Sequence, residues 1–256
     1  MCGASDSTAR AVGTAVALGV GGILLFGAVT VLVGLVGGRL GLATAVLFVA
    51  SVIIGQYLGF VGLGLYYFRA RGLSWRGIRS YLGVRPPTLR DLAAVVAGYV
   101  AIIVGILALL ILAVRFLPAP AENQGAEFAA NNPEIIPPLV VVMFLVVGPA
   151  EEFLFRGVVQ NRLRERLSAI PAVAIAGSVF AVLHVVALAG SPSAVAVTVT
   201  ALLVPGLVLG AVYEYTGNLV VPWMIHSIHN SMLLTAILLG GSGEGAALVW
   251  TLLGAA

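Results

Sequence analysis

"GPAEEFLFRG", residues 148–157, decides how the whole chain is read. It places Glu151, Glu152 and Arg156 within six residues, directly after the apolar run "PPLVVVMFLVV" (137–147). An isolated charge at mid-bilayer costs about 2.5–3.5 kcal/mol even on a lenient insertion scale, so two Glu and an Arg left unpaired would cost on the order of 8 kcal/mol. If the run crosses a membrane, these groups must face one another or water, and a functional site is the first reading.

Composition places the run in a membrane. The chain has 256 residues, 61% of them apolar and 9% charged, with a mean hydropathy of +1.12. A soluble domain carries roughly 25% charged residues, so this chain has too few to cover a water-facing surface. A spanning helix takes about 20 apolar residues. Such runs lie at 12–36, 41–68, 92–114, 137–160, 169–190, 195–213, 219–240 and, shorter, 245–256. The expected fold is an all-α polytopic membrane bundle of about eight transmembrane helices, seven if the last run does not span. It forms one integral membrane domain over 1–256. The first run is too long for a signal-peptide core and reads as the first span. The one cysteine, Cys2, makes neither an internal disulfide nor a cysteine zinc site.

All 13 basic residues are Arg. Six fall in 69–91 and three in 161–167, whereas 116–134 holds three Glu and no base. The positive-inside rule then puts both Arg-rich loops and the N-terminus, with Arg10, in the cytoplasm and 116–134 outside; Arg39, in a short outer turn, dissents. The partner implied by this charge pattern is the lipid bilayer, with no nucleic acid. "LSWRGIRSYLGV" (73–84) reads equally as an interfacial helix or a loop. Gly206 and Gly210 suit close helix packing in lipid. Glu214, at a span end, reads as solvated.

Outside the loops the ionisable residues are Glu151, Glu152 and Arg156, then His184, then His226 and His229. Glu152 and Arg156 are four apart and share a helix face, so they can pair. That pair also reads as a structural ion pair fixing helix register. Glu151 is turned about 100° away and is free to meet another helix. Pro149 should kink or restart the helix and free carbonyls beside Glu151, which suits a hydrated pocket. His226 and Asn230 again share a face, with His229 offset from it and more simply structural. Counted from the Arg-rich ends, Glu151 and His226 sit at similar depth and His184 deeper. The expected result is a polar cavity open to the cytoplasm.

Three motifs follow in order on three apolar helices: "EEFLFR" (E-E-x-x-x-R), "FAVLH" (F-x-x-x-H) and "HSIHN" (H-x-x-x-N). With "TGNLVVPWMIHS" (216–227), they resemble the CAAX prenyl protease and bacteriocin-processing family of intramembrane endopeptidases. The resemblance covers 137–235, which would be the protease core. His229 departs from it, since members often carry Asn or a small residue there. The resemblance implies a peptidase acting on a peptide or protein, lipidated or a small membrane peptide.

The residue chemistry agrees. A buried carboxylate is a stronger base, so Glu151 with His184 could hold and deprotonate water. His226 and Asn230, one turn apart, offer two donors to one oxyanion. Glu152 and Arg156 would support them. Glu151, His184 and His226 are also the inventory of a catalytic divalent-metal site such as zinc, although no H-E-x-x-H is present. "GGSG" (240–243) matches a rhomboid serine motif, but no His follows it, and it reads as a turn. Two other classes stay open: a proton-coupled transporter, because intramembrane Glu, Arg and His also build proton relays, and a non-catalytic scaffold.

Overall fold

The computed structural model describes residues 7–113 and 116–240. The eighth expected span, Cys2 and most of the "GGSG" turn lie outside the described residues. Among the described residues nine helices follow one another: α1 (Thr8–Arg39), α2 (Thr44–Ala70), α3 (Trp75–Leu82), α4 (Leu89–Ala113), α5 (Gln124–Asn131), α6 (Pro133–Arg164), α7 (Ala169–Ala187), α8 (Pro192–Thr216) and α9 (Val220–Gly240). Six of them, α1, α2, α4, α6, α7 and α8, are long and apolar enough to cross a membrane. At 21 residues α9 is also membrane-length, about 31 Å at 1.5 Å per residue. Its two His, its Asn and its hydroxyl residues lower its hydropathy. The all-α membrane bundle expected from the sequence is the fold observed, and the chain is a multi-pass membrane protein.

The outer surface is apolar, as lipid contact requires: Leu24, Leu32 and Leu35 of α1 and Ile111 of α4 are all well exposed. The interior is aromatic. Phe60, Phe68, Phe153, Phe155 and Phe180 form one buried cluster with Leu154 and Tyr213. Glycine sets the closest approach. A Cβ on Gly206 of α8 would lie 2.9 Å from the Gly177 carbonyl oxygen of α7, so only glycine lets these backbones touch.

At the Arg-rich end the loops are tied down. Ser74 Oγ accepts from Gly77 N (3.2 Å) to start α3, and Gly83, at φ 65°, ends it. Ile78 and Leu82 of α3 are buried, so segment 73–84 is a docked helix. Glu165 accepts from Arg71 (2.7 Å), Tyr81 (2.8 Å) and Arg162. Burial alone would push its carboxyl up, but these donors hold it below the usual carboxylate range. Burial first, then donation to Glu165, pushes the Tyr81 hydroxyl up. Glu214 is part of the same lacing: it accepts from Gln160 and from Arg164, each at 3.0 Å, and is not simply solvated. At the opposite end a short antiparallel pair, β1 (Glu122–Asn123) with β2 (Leu188–Ala189), joins the segment before α5 to the end of α7.

Candidate active site

Helix α6 is irregular where the charges sit. Gly148–Glu152 is α-helical, flanked by the wide π-helical turns Met143–Val147 and Phe153–Gln160; such turns recur at functional sites. Pro149 has no N–H to give the carbonyl of Leu145. Three consecutive carbonyls before it take side-chain donors: Ser227 Oγ donates to Met143 O (3.1 Å), Trp223 Nε1 to Phe144 O (2.8 Å) and Tyr57 OH to Leu145 O (3.4 Å). The freed carbonyls expected from the sequence are present, and α2 and α9 satisfy them. A Cβ at Gly148 would strike Ser227 Oγ, so glycine lets α9 come close enough to present His226.

Glu152 and Arg156 pair as expected, with Arg156 Nη1 donating to Glu152 Oε1 at 2.7 Å. Both are essentially inaccessible. Arg156 Nη2 also donates to Gly206 O (3.0 Å), and its guanidinium lies 4.8 Å from the Phe180 ring centre. Glu152 Oε1 takes a second bond, from His226 Nδ1 at 2.8 Å. The acidic partner of the Arg therefore also orients a histidine of another helix.

Glu151 faces the remaining groups. Its Oε2 lies 3.9 Å from His184 Nε2 and 3.8 Å from His226 Nε2. His184, expected deeper, is level with the others. Its Nδ1 donates to Phe180 O at 2.7 Å, so a neutral ring presents Nε2 as an acceptor. Phe180 packs against both imidazoles, at 4.4 Å from His184 and 5.9 Å from His226 between ring centres. Glu151 Oε2, His226 Nε2 and Asn230 Oδ1 are buried without a protein hydrogen-bond partner. Asn230 Nδ2 lies 3.8 Å from Met143 Sδ. His229 is not brought into this group; it packs edge-on against Tyr99 of α4 at 6.2 Å.

Glu151, His184 and Asn230 line a cavity of ≈ 210 Å³ whose other walls include Phe26, Phe48, Val52, Leu139 and Leu234. The walls are mainly apolar. They include Asn123 and Gly125, at the end of the bundle away from the Arg-rich loops.

The conditional metal set, Glu151, His184 and His226, is not assembled as one. Among the described residues no group of three or more His, Cys, Asp or Glu is placed to hold a metal ion. Two donors about 2.1 Å from a tetrahedral zinc stand about 3.4 Å apart, closer than the 3.8 and 3.9 Å found here. One site residue escaped the sequence reading. Gln56 of α2 is buried and donates from Nε2 to Glu151 Oε1 at 2.8 Å. Its signal was a lone amide inside the apolar run 41–68, passed over because it carries no charge.

A buried carboxylate facing two imidazoles at the wall of an apolar cavity, inside membrane-length helices, defines a class: a multi-pass membrane protein whose site can carry acid–base chemistry. Residues 133–232, the part holding all three motifs, match the family model of type II CAAX prenyl endopeptidase, Rce1-like. The resemblance drawn from the motifs is thus matched by a family model over this segment of the chain. No curated protein and no solved structure matches the chain.

Proposed function

We propose that the chain hydrolyses a peptide bond within the membrane, with Glu151 as general base, His184 as its partner on the water, and His226 and Asn230 as oxyanion donors. The observation that carries this reading is the convergence of Glu151 Oε2 with His184 Nε2 at 3.9 Å and His226 Nε2 at 3.8 Å. A water between Glu151 and His184 donates one hydrogen bond to each. Glu151 takes a proton as the water oxygen bonds to the scissile carbonyl carbon, and the carbonyl electron pair moves onto oxygen. That oxyanion accepts from His226 Nε2–H and from Asn230 Nδ2. Its collapse breaks the C–N bond, and the proton on Glu151 passes to the leaving amine.

In this scheme His226 carries both ring protons. Glu152 already receives its Nδ1 proton, so donation from Nε2 requires the doubly protonated ring. The carboxylates of Glu152, at 2.8 Å, and Glu151, at 3.8 Å, supply its counter-charge. Glu152 and Arg156 are supporting residues in this scheme. The apolar cavity suits an apolar segment of a membrane-held peptide or protein, lipidated or not. With the Arg-rich loops and the N-terminus cytoplasmic, the cavity faces the other side of the bilayer.

The test uses the purified protein in nanodiscs and a membrane-presented peptide library. Cleavage by wild type that falls about 10²–10⁴-fold in Glu151→Ala, the range for losing a general base, is the expected result. Equal cleavage by both proteins would sink the mechanism.

A further inference from the structure

We infer that Gln56 is a positioning residue for Glu151, supplied by a part of the chain outside the family-matched segment 133–232. The inference rests on the peptidase reading given above. Gln56 opens the π-helical stretch Gln56–Gly62 of α2, with glycine before it and one helical turn after it. A Cβ on Gly59 would lie 2.8 Å from the backbone nitrogen of Phe26, so α2 is pressed onto α1 at this level. That contact holds the Gln56 side chain at the cavity wall, where it meets Glu151.

The direction of the bond is determined by chemistry. An ionised carboxylate only accepts, so the amide must turn its N–H₂ to Glu151 Oε1. Its own Oε1 is then left buried with no protein partner. An amide placed only for stability would satisfy both ends. This one gives up its oxygen to hold one oxygen of Glu151. The held oxygen fixes rotation about the last torsion of Glu151, and so aims Oε2 at His184 and His226.

Gln56→Met keeps the length and shape of the side chain and removes the donor. Two readouts apply. In nanodiscs, kcat is expected to fall about tenfold to a hundredfold, as for a misaimed catalytic group, with KM within about twofold. The infrared difference spectrum between the parent and its Glu151→Gln derivative isolates the Glu151 carboxylate band. That band is expected at a different frequency in the Gln56→Met background. Gln56→Leu replaces Gln56→Met if the latter does not elute as a folded species. Unchanged kcat, a rise in KM alone, or an unmoved band would each overturn the assignment. A wild type that cleaves nothing overturns the peptidase reading instead, and the two failures are told apart because the band still reports the Gln56 contact.

Discussion

At the scale of single residues, Glu152 carries the most consequences. It is inaccessible, receives Arg156 at 2.7 Å and receives His226 at 2.8 Å. Removing one member of a buried ion pair costs about 3–5 kcal/mol because the other is left charged and unpaired. Glu152→Gln should therefore lower the thermal midpoint in detergent markedly, and Glu152→Gln with Arg156→Met should recover part of the loss. An unchanged midpoint in the single variant would mean that Arg156 needs no counter-charge. The Glu152–Arg156 pair was legible because four residues on a helix is a short-range rule. The turn of Glu151 toward other helices was legible for the same reason. The bond from His226 to Glu152 and the bond from Gln56 to Glu151 span 74 and 95 residues. Nothing local in a sequence encodes which helices stand side by side, and an uncharged Gln in an apolar run gives no electrostatic warning.

Among the elements, hydropathy was enough to find the long helices but not their irregularities. The three π-helical stretches, in α2 and on both sides of Gly148–Glu152, have no periodic signature. The two-residue strands β1 and β2 are shorter than any pattern. Glycine contacts were half visible: Gly206 was recognised as a packing residue, while its partner, Gly177, emerged only from the packing of α7 on α8. The contact is backbone on backbone, so neighbouring side chains cannot relax around a new group. Gly206→Val should disrupt the α7–α8 seam and also disturb the Gly206 carbonyl that receives Arg156. The expected outcome is aggregated or strongly destabilised protein on size exclusion and thermal unfolding. Gly13→Ala is the matched control. A Cβ at Gly13 meets nothing within 4 Å, and replacing a helical glycine by alanine is stabilising by roughly 0.5–1 kcal/mol. Similar behaviour of the two variants would remove close packing as the reason for glycine at 206.

For the whole molecule, the question is on which side of the membrane the cavity lies. Two features divide the bundle along its axis. Glu165 with Arg71, Arg162 and Tyr81, and Glu214 with Arg164, lace the ends of α2, α3, α6 and α8 together. The far half is held by the short β1–β2 pair and contains the cavity. The ion pairs thus tie the helix ends on one side, and the apolar-walled cavity lies in the other half. Arg counts near span ends bias the charged end toward the cytoplasm. On that rule the cavity end, with Glu122 exposed beside it, is expected outside, and labelling tests it. In a Cys2→Ser background, a Glu122→Cys variant should react with a membrane-impermeant thiol reagent on intact cells. An Arg76→Cys variant should react only after permeabilisation. The reverse pattern would turn the molecule over and place the cavity on the cytoplasmic side. In that case the Arg-rich loops would break the positive-inside rule, and peptides from the cytoplasm would have the direct route to Glu151.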